Sequence, residues 1–265
     1  MAFVQKNTII VPDISFYSGI TNFTVMKAGG AQGVIIRAGQ QSYADSKFAE
    51  YWAAAKGILL RGCYWFYDSR AEPLGQAALF VSLIKDNLPE MEVWLDYEES
   101  YGGAWAGWRH FAVFAAEVKR LLPLAQIGIY TGYYYWRDHS PDPTKEAASF
   151  QWFKQFSLWL AWYSDASIVK IPAPWTSALY WQFTPSGNGP AYGTQGLGID
   201  LSCFQGTQAE FNQRYGGVTP PPPPPPVMVI SVFAGTTKVP ELLTVTFQIN
   251  GVQQVATIDQ RPAAG

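Results

Sequence analysis

Residues 93–100 read Val-Trp-Leu-Asp-Tyr-Glu-Glu-Ser, an apolar run that ends in acids. A carboxylate in or beside a buried strand is costly unless it is paired, hydrogen-bonded or held neutral. Side chains two apart on a strand point the same way. Asp96 and Glu98 therefore share one side, and Leu95 and Tyr97 the other. Two carboxyl groups facing one space raise the pKa of at least one of them. A carboxyl kept protonated near neutral pH is what a general acid needs to protonate a glycosidic oxygen. Two more acids sit at the ends of apolar runs, Asp13 in "VPDIS" and Asp200 in "GIDLS". Taken singly, either reads more simply as a helix cap or an arginine partner. Four such acids together point to a cleft.

The rival use of an acid cluster is to hold Mg²⁺ or Ca²⁺. The two histidines offer no support for a metal centre. His110 falls in a helical pattern and His139 in the polar stretch "RDHSPDP", read as a loop. There is no HExxH and no GxSxG. The Gly-rich "SGNGPAYGTQGLG" lacks the Lys-Ser/Thr of a phosphate loop and reads as a flexible loop near the cleft. No metal and no cofactor are expected.

The elements that must carry these acids alternate. Strands are predicted at 8–15, 33–39, 59–67, 92–98, 127–132, 158–164, 178–184 and 197–204. Helical three- and four-residue spacing marks "SKFAEYWAAAKG", "EPLGQAALFVSLIKDNL", "GWRHFAVFAAEVKRLL" and "TKEAASFQWFKQF". A short final helix is predicted in "TQAEFNQRY". Strand–helix alternation implies parallel βαβ units, and eight strands suggest an α/β closed, TIM-like barrel. The last three strands lack a clear helix between them, so the barrel should be irregular there. In such barrels reactive groups stand at the C-terminal strand ends. The first and last strands are neighbours, which lets Asp13 and Asp200 approach each other and the fourth-strand pair.

Seven consecutive prolines, Pro220–Pro226, predict a polyproline II spacer of roughly 3.1 Å per residue. The expected organisation is a catalytic barrel over 1–217, a linker over 218–226 and a small β segment over 227–265. Alternation around Asn250-Gly251 predicts a hairpin, and "VMVISVFAG" offers a third strand.

Composition narrows the function. The 265 residues carry a net charge of −2, which argues against a nucleic-acid binder relying on a basic face. The chain holds 11 Trp, 15 Tyr and 16 Phe, an excess that suits both a core and a sugar-stacking cleft. Cys63 and Cys203 form no CxxC and read as buried free thiols. No stretch approaches the ~18 apolar residues of a membrane span, and the N-terminus shows no basic region followed by a long apolar run. The expectation is a monomer made without a signal peptide in a cytoplasm. It would insert in no membrane, and if it acts outside the cell something else releases it.

The stretches "DISFYSGITNF", "GVIIRAGQQSYADSKF", "RGCYWFY", "VWLDYEE", "IGIYTG", "LWLAWY", "YWQFT" and "GIDLSCF" resemble, in order and spacing, glycoside hydrolase family 25 over residues 9–215. These are the Chalaropsis-type lysozymes, many of them phage endolysins. The resemblance implies an irregular β/α barrel and N-acetylmuramidase activity on peptidoglycan. The bond cut is β-1,4, between N-acetylmuramic acid and N-acetylglucosamine, with retention. It implies Glu98 as general acid and later base, Asp96 as its partner, and Asp13 and Asp200 as the acidic floor. Tyr64, Phe66, Tyr130, Tyr163 and Gln182 match cleft-lining positions. Attack by the substrate's own acetamido oxygen is favoured over a protein nucleophile. The chain departs from the family at Ser18, often Gln, at "RAGQQ", often an Ala-Thr-Glu-Gly run, and at Trp65, often His. The other readings are a chitinase-like hydrolase and a non-catalytic wall-binding or virion module.

Overall fold

The computed structural model describes residues 3–98 and 101–216 and the strands Leu242–Ile249 and Val252–Asp259. Contacts divide the chain into two units, Met1–Thr219 and Pro220–Gly265.

The first unit is built on eight strands: β1 (Ile10–Ile14), β2 (Gly33–Gln40), β3 (Leu60–Phe66), β4 (Val93–Asp96), β5 (Ile127–Gly132), β6 (Ser157–Ala161), β7 (Tyr180–Asn188) and β8 (Gly198–Phe204). They hydrogen-bond in chain order, and β8 returns to β1, which also pairs with β2, so the sheet closes. All eight match predicted strands. The junctions from β1 through to β7 are parallel. Strand β8 runs antiparallel to both β7 and β1. The barrel is therefore irregular where the helices give out. Its last connection, from Asn188 to Gly198, is too short for the crossover of a dozen or more residues that parallel strands need.

Among the described residues seven α-helices accompany the strands: α1 (Phe23–Ala28), α2 (Phe48–Ala55), α3 (Pro73–Ile84), α4 (Trp108–Leu121), α5 (Tyr133–His139), α6 (Ala147–Trp152) and α7 (Gln208–Tyr215). In α4 the buried residues Phe111, Phe114, Ala115 and Val118 follow the spacing of one helix face. With Phe80 and Ile84 of α3 they pack on the outward side chains Cys63, Trp65, Leu95 and Ile129. Each large apolar side chain buried there contributes roughly 1.5–3 kcal/mol. Both cysteines are free and buried.

The inward side chains form a second cluster that includes Val11, Ile35, Trp94, Tyr130, Trp159 and Tyr180. Trp94 meets Trp159 at 5.4 Å and Tyr180 at 5.8 Å, edge to face. A Cβ at position 128 would overlap the Trp94 ring, so Gly128 makes room for the indole. Below this layer α7 closes the barrel with Phe211 and Tyr215. There Tyr215 donates to the fully buried Glu92 at 2.6 Å, and Arg214 Nε donates to the same carboxylate at 2.7 Å.

Helices α1 and α5 are additions to the sequence reading. Asn22 caps α1, its side chain accepting from Thr24 and Val25 N–H at 3.1 Å each. Helix α5 takes in His139, whose polar surroundings predict a loop; its Nδ1 lies 2.9 Å from the Tyr135 carbonyl. In the Gly-rich stretch read as a loop, 186–188 continue β7 and Pro190–Tyr192 form a 3-10 turn. The stretch is tied to the segment after β1, with Gln195 N–H donating to Ile20 at 2.8 Å and Asn22 N–H to Gly193 at 2.8 Å. A short strand, Tyr43–Ala44, folds back on β2.

In the second unit, Leu242–Ile249 pairs antiparallel with Val252–Asp259, and Ile249 faces Val252 across the predicted Asn250-Gly251 connection. The predicted proline linker and the "VMVISVFAG" strand lie outside the described residues.

Candidate active site

The inward alternation of the strands places a polar layer above the aromatic one. Val11 and Ile35 belong to the inner cluster, and two residues on stand Asp13 and Arg37. By the same count Trp94 leads to Asp96, Tyr180 to Gln182, and Ala161 to Tyr163. Asp200 faces Asp13 directly in the β8–β1 register. Asp200 thus reaches the mouth for a reason other than the expected one. It lies near the start of β8, and the reversed direction of that strand brings its start to the end where the other strands finish.

Gln182 organises the layer. Its Nε2 donates to Asp13 Oδ2 at 2.8 Å, while its Oε1 accepts from Tyr130 at 2.8 Å and Tyr163 at 2.7 Å. Two phenols on the carbonyl oxygen fix the amide orientation and turn its NH₂ toward the carboxylate. Burial pushes the Tyr130 and Tyr163 phenols up, so both remain donors.

Glu98 stands just past the end of β4 and is half-buried. Its neighbour Tyr97 anchors it. The Tyr97 ring stacks on Phe111 at 4.3 Å, its N–H donates to Tyr130 at 2.9 Å, and its carbonyl accepts from Thr131 Oγ1 at 2.7 Å. With Tyr97 held outward, Glu98 turns toward the mouth, and its charge acts on Asp96, Asp13 and Tyr130.

The carboxyl groups of Asp13, Asp96 and Asp200 are held above their ordinary range. Burial raises Asp13 most, Asp200 and Glu98 add to the rise, and the Gln182 hydrogen bond opposes it. Burial also raises Asp96, reinforced by Glu98 and Asp13 and opposed by the Arg37 guanidinium. Asp200 is pushed by burial from 3.8 to about 6. Asp96 is 3% exposed, and its Oδ1 finds no hydrogen-bond donor among the described residues.

A cavity of about 260 Å³ opens on Asp13 and Asp200 and is walled by Ser15, Tyr17, Ser18 and Tyr64. Tyr64 meets Trp159 edge to face at 6.3 Å. Phe66 ends β3 beside Asp96 and lies 6.1 Å from Tyr101. The predicted site residues Asp13, Tyr64, Phe66, Asp96, Glu98, Tyr130, Tyr163, Gln182 and Asp200 thus all come from this end of the barrel. Of the positions where the chain departs from the family pattern, Ser18 lines the cavity. Trp65 faces outward, donating from Nε1 to Gln76 at 3.1 Å. Cavities of about 320 and 280 Å³ around Gln155, Phe156 and Arg214 contain none of the acids. Their size makes them pockets, but their chemistry does not make them this site. Among the described residues no group of three or more His, Cys, Asp or Glu is arranged to hold a metal ion.

Sequence reasoning missed Arg37, Asp45 and Tyr17. Arg37 was visible as a lone cation inside the apolar run "GVIIRAG", two residues from Ile35 and so on the same face.

The family model for glycosyl hydrolases family 25 matches residues 12–191. The chain belongs to this family. This family 25 glycosyl hydrolase also shares its fold with solved structures of low sequence identity. A bacterial lysozyme from Streptomyces coelicolor superposes with a TM-score of 0.63 at 20% identity, covering 79% of this chain and 98% of that one. A muramidase from Trichobolus zukalii gives 0.60 at 24%, covering 79% and 99%. The catalytic domain of an endolysin from bacteriophage P40 of Listeria monocytogenes gives 0.60 at 21%, covering 79% and 98%. No curated protein sequence matches the chain.

Proposed function

We propose that this family 25 glycosyl hydrolase is an N-acetylmuramidase of bacterial peptidoglycan. It cuts the β-1,4 bond between N-acetylmuramic acid and N-acetylglucosamine with retention. The solved structures of similar fold named as lysozyme, muramidase and endolysin support this substrate class. The observation that carries the mechanism is the buried Asp96 Oδ1, which finds no donor among the described residues and lies within the field of Glu98 and Asp13. A carboxylate oxygen in that state is strongly stabilised by an incoming N–H. The acetamido N–H of the sugar on the muramic side supplies one.

Glu98 protonates the glycosidic oxygen as the bond breaks. Asp96 holds the acetamido N–H, which aims the acetamido oxygen at the anomeric carbon. The C–O bond to the leaving sugar breaks as the bond to the acetamido oxygen forms, giving an oxazolinium. Glu98, now a carboxylate, takes a proton from water as that water opens the ring. Two inversions leave the configuration unchanged. Asp13 and Asp200 form the acidic floor, and Gln182 with Tyr130 and Tyr163 keeps the Asp13 side of the cleft rigid. Tyr64 and Phe66 offer rings to the sugar faces.

The enzyme acts on the cell wall as a monomer, with no nucleic-acid partner, and reaches the wall after holin-type release. Among the described residues no helix is long and apolar enough to cross a membrane. Proton NMR of a muramyl oligosaccharide digest tests the mechanism. The first-formed product should be the β anomer, and a thiazoline analogue of the oxazolinium should inhibit. A first-formed α anomer would rule out this route.

A further inference from the structure

Arg37 is the cation of the acidic layer. It is 7% exposed, lies on the inward face of β2, and sits across from Tyr64 in the β2–β3 register. Its Nε donates to Asp45 at 2.8 Å, and among the described residues that is the side chain's one hydrogen bond. Asp45 is itself fixed, because it also accepts from Phe16 N–H at 3.1 Å and Lys47 N–H at 2.8 Å. The guanidinium carbon lies 4.9 Å from the Phe16 ring centre and 5.5 Å from that of Tyr17. Tyr17 and Tyr64 both wall the cavity that opens on Asp13 and Asp200. The side chain is thus clamped at Nε and flanked by rings. Its two terminal nitrogens carry the remaining donors of a planar fork. Among the described residues neither terminal nitrogen is both sealed from solvent and unpartnered, so the fork keeps donors open beside the two tyrosines that wall the cavity.

Muramic acid differs from N-acetylglucosamine by a lactyl ether on O3 that ends in a carboxyl group. A mouth lined by Asp13, Asp96, Glu98 and Asp200 repels that group unless a cation receives it. We propose that Arg37 is the specificity-determining receptor of the lactyl carboxyl group, and so separates muramyl glycans from polymers of N-acetylglucosamine alone. This rests on the muramidase reading. The shared chemistry is a carboxyl oxygen accepting from the guanidinium. It is a carboxylate in stem-free glycan and an amide carbonyl where a stem peptide is attached. The charged form binds more strongly, because hydrogen bonds between ionised partners exceed those to neutral ones.

The test measures binding without turnover, by calorimetry on the full chain carrying Glu98→Gln. Three ligands of equal length are compared: a muramyl oligosaccharide with free lactyl groups, the same with the lactyl groups amidated by alanine, and a chito-oligosaccharide. Adding Arg37→Gln should weaken the free-acid ligand on the order of 10- to 100-fold, weaken the amide less, and leave the chito-oligosaccharide unchanged. Because Arg37→Gln strands the buried Asp45, the pair Arg37→Gln/Asp45→Asn is measured alongside, with tryptophan fluorescence as the check on folding. Arg37→Lys keeps the charge without the fork and should fall between. Equal losses on the free-acid and chito ligands, or no loss on either, would overturn the assignment of Arg37. A parent protein that prefers the chito-oligosaccharide would instead overturn the muramidase reading beneath it.

Discussion

Asp200→Asn should make the barrel more stable at neutral pH while it lowers hydrolysis. Asp200 is pushed by burial from 3.8 to about 6. A carboxyl whose pKa is raised on folding favours the folded state below its unfolded value, and that advantage is lost as pH rises through the folded value. At about 1.4 kcal/mol per pH unit, ionising Asp200 in the folded barrel costs about 3 kcal/mol relative to the unfolded chain. Asparagine has nearly the same shape and cannot ionise. The variant should therefore gain about 3 kcal/mol above pH 7, lose that gain between pH 6 and 4, and match the parent below pH 4. Urea unfolding followed by tryptophan fluorescence is the assay. All 11 tryptophans precede residue 217, so the signal reports the first unit alone. A variant no more stable than the parent at pH 7, or one whose gain persists at pH 4, would refute the reasoning.

Gln182→Leu strips partners from Asp13, Tyr130 and Tyr163 at once; it should cost about 3 kcal/mol or more in urea unfolding and reduce kcat. Asp96→Asn should fold normally and lower kcat by roughly a hundredfold or more, with a smaller change in KM, measured on a soluble muramyl oligosaccharide. Removing residues 220–265 should leave the tryptophan-monitored unfolding midpoint of the first unit unchanged; a large drop would make the tail part of the barrel's stability.

Much of the fold was legible because the strands are buried on both faces and so read as apolar runs with sharp ends. The direction of β8 was not read. The signal was the short, Gly-rich connection before it, which holds no helix able to cross the barrel. Helix α1 was missed at six residues, although Asn22 before it and Gly29-Gly30 after it are capping and stop signals. Helix α5 was missed because Tyr133, Tyr134, Tyr135 and Trp136 form an unbroken aromatic run that hides any periodicity.

The site was legible where its chemistry is local. Asp96 and Glu98 announce themselves by spacing on one strand. Asp13 and Asp200 needed only the closure of the barrel to meet. The role of Gln182 as the link between two tyrosines and Asp13 depends on three strands converging, and nothing within "YWQFT" encodes that. Asp45 became relevant only through the fold-back of Tyr43–Ala44, which lays it against Arg37.

The most direct measurement is digestion of purified peptidoglycan, reduction of the new ends with borohydride, and mass spectrometry of the products, run on the parent and on Glu98→Gln. The account predicts reduced muramic acid at the new ends with the parent and almost none with the variant. Reduced glucosamine at those ends, or undiminished release by Glu98→Gln, would contradict it.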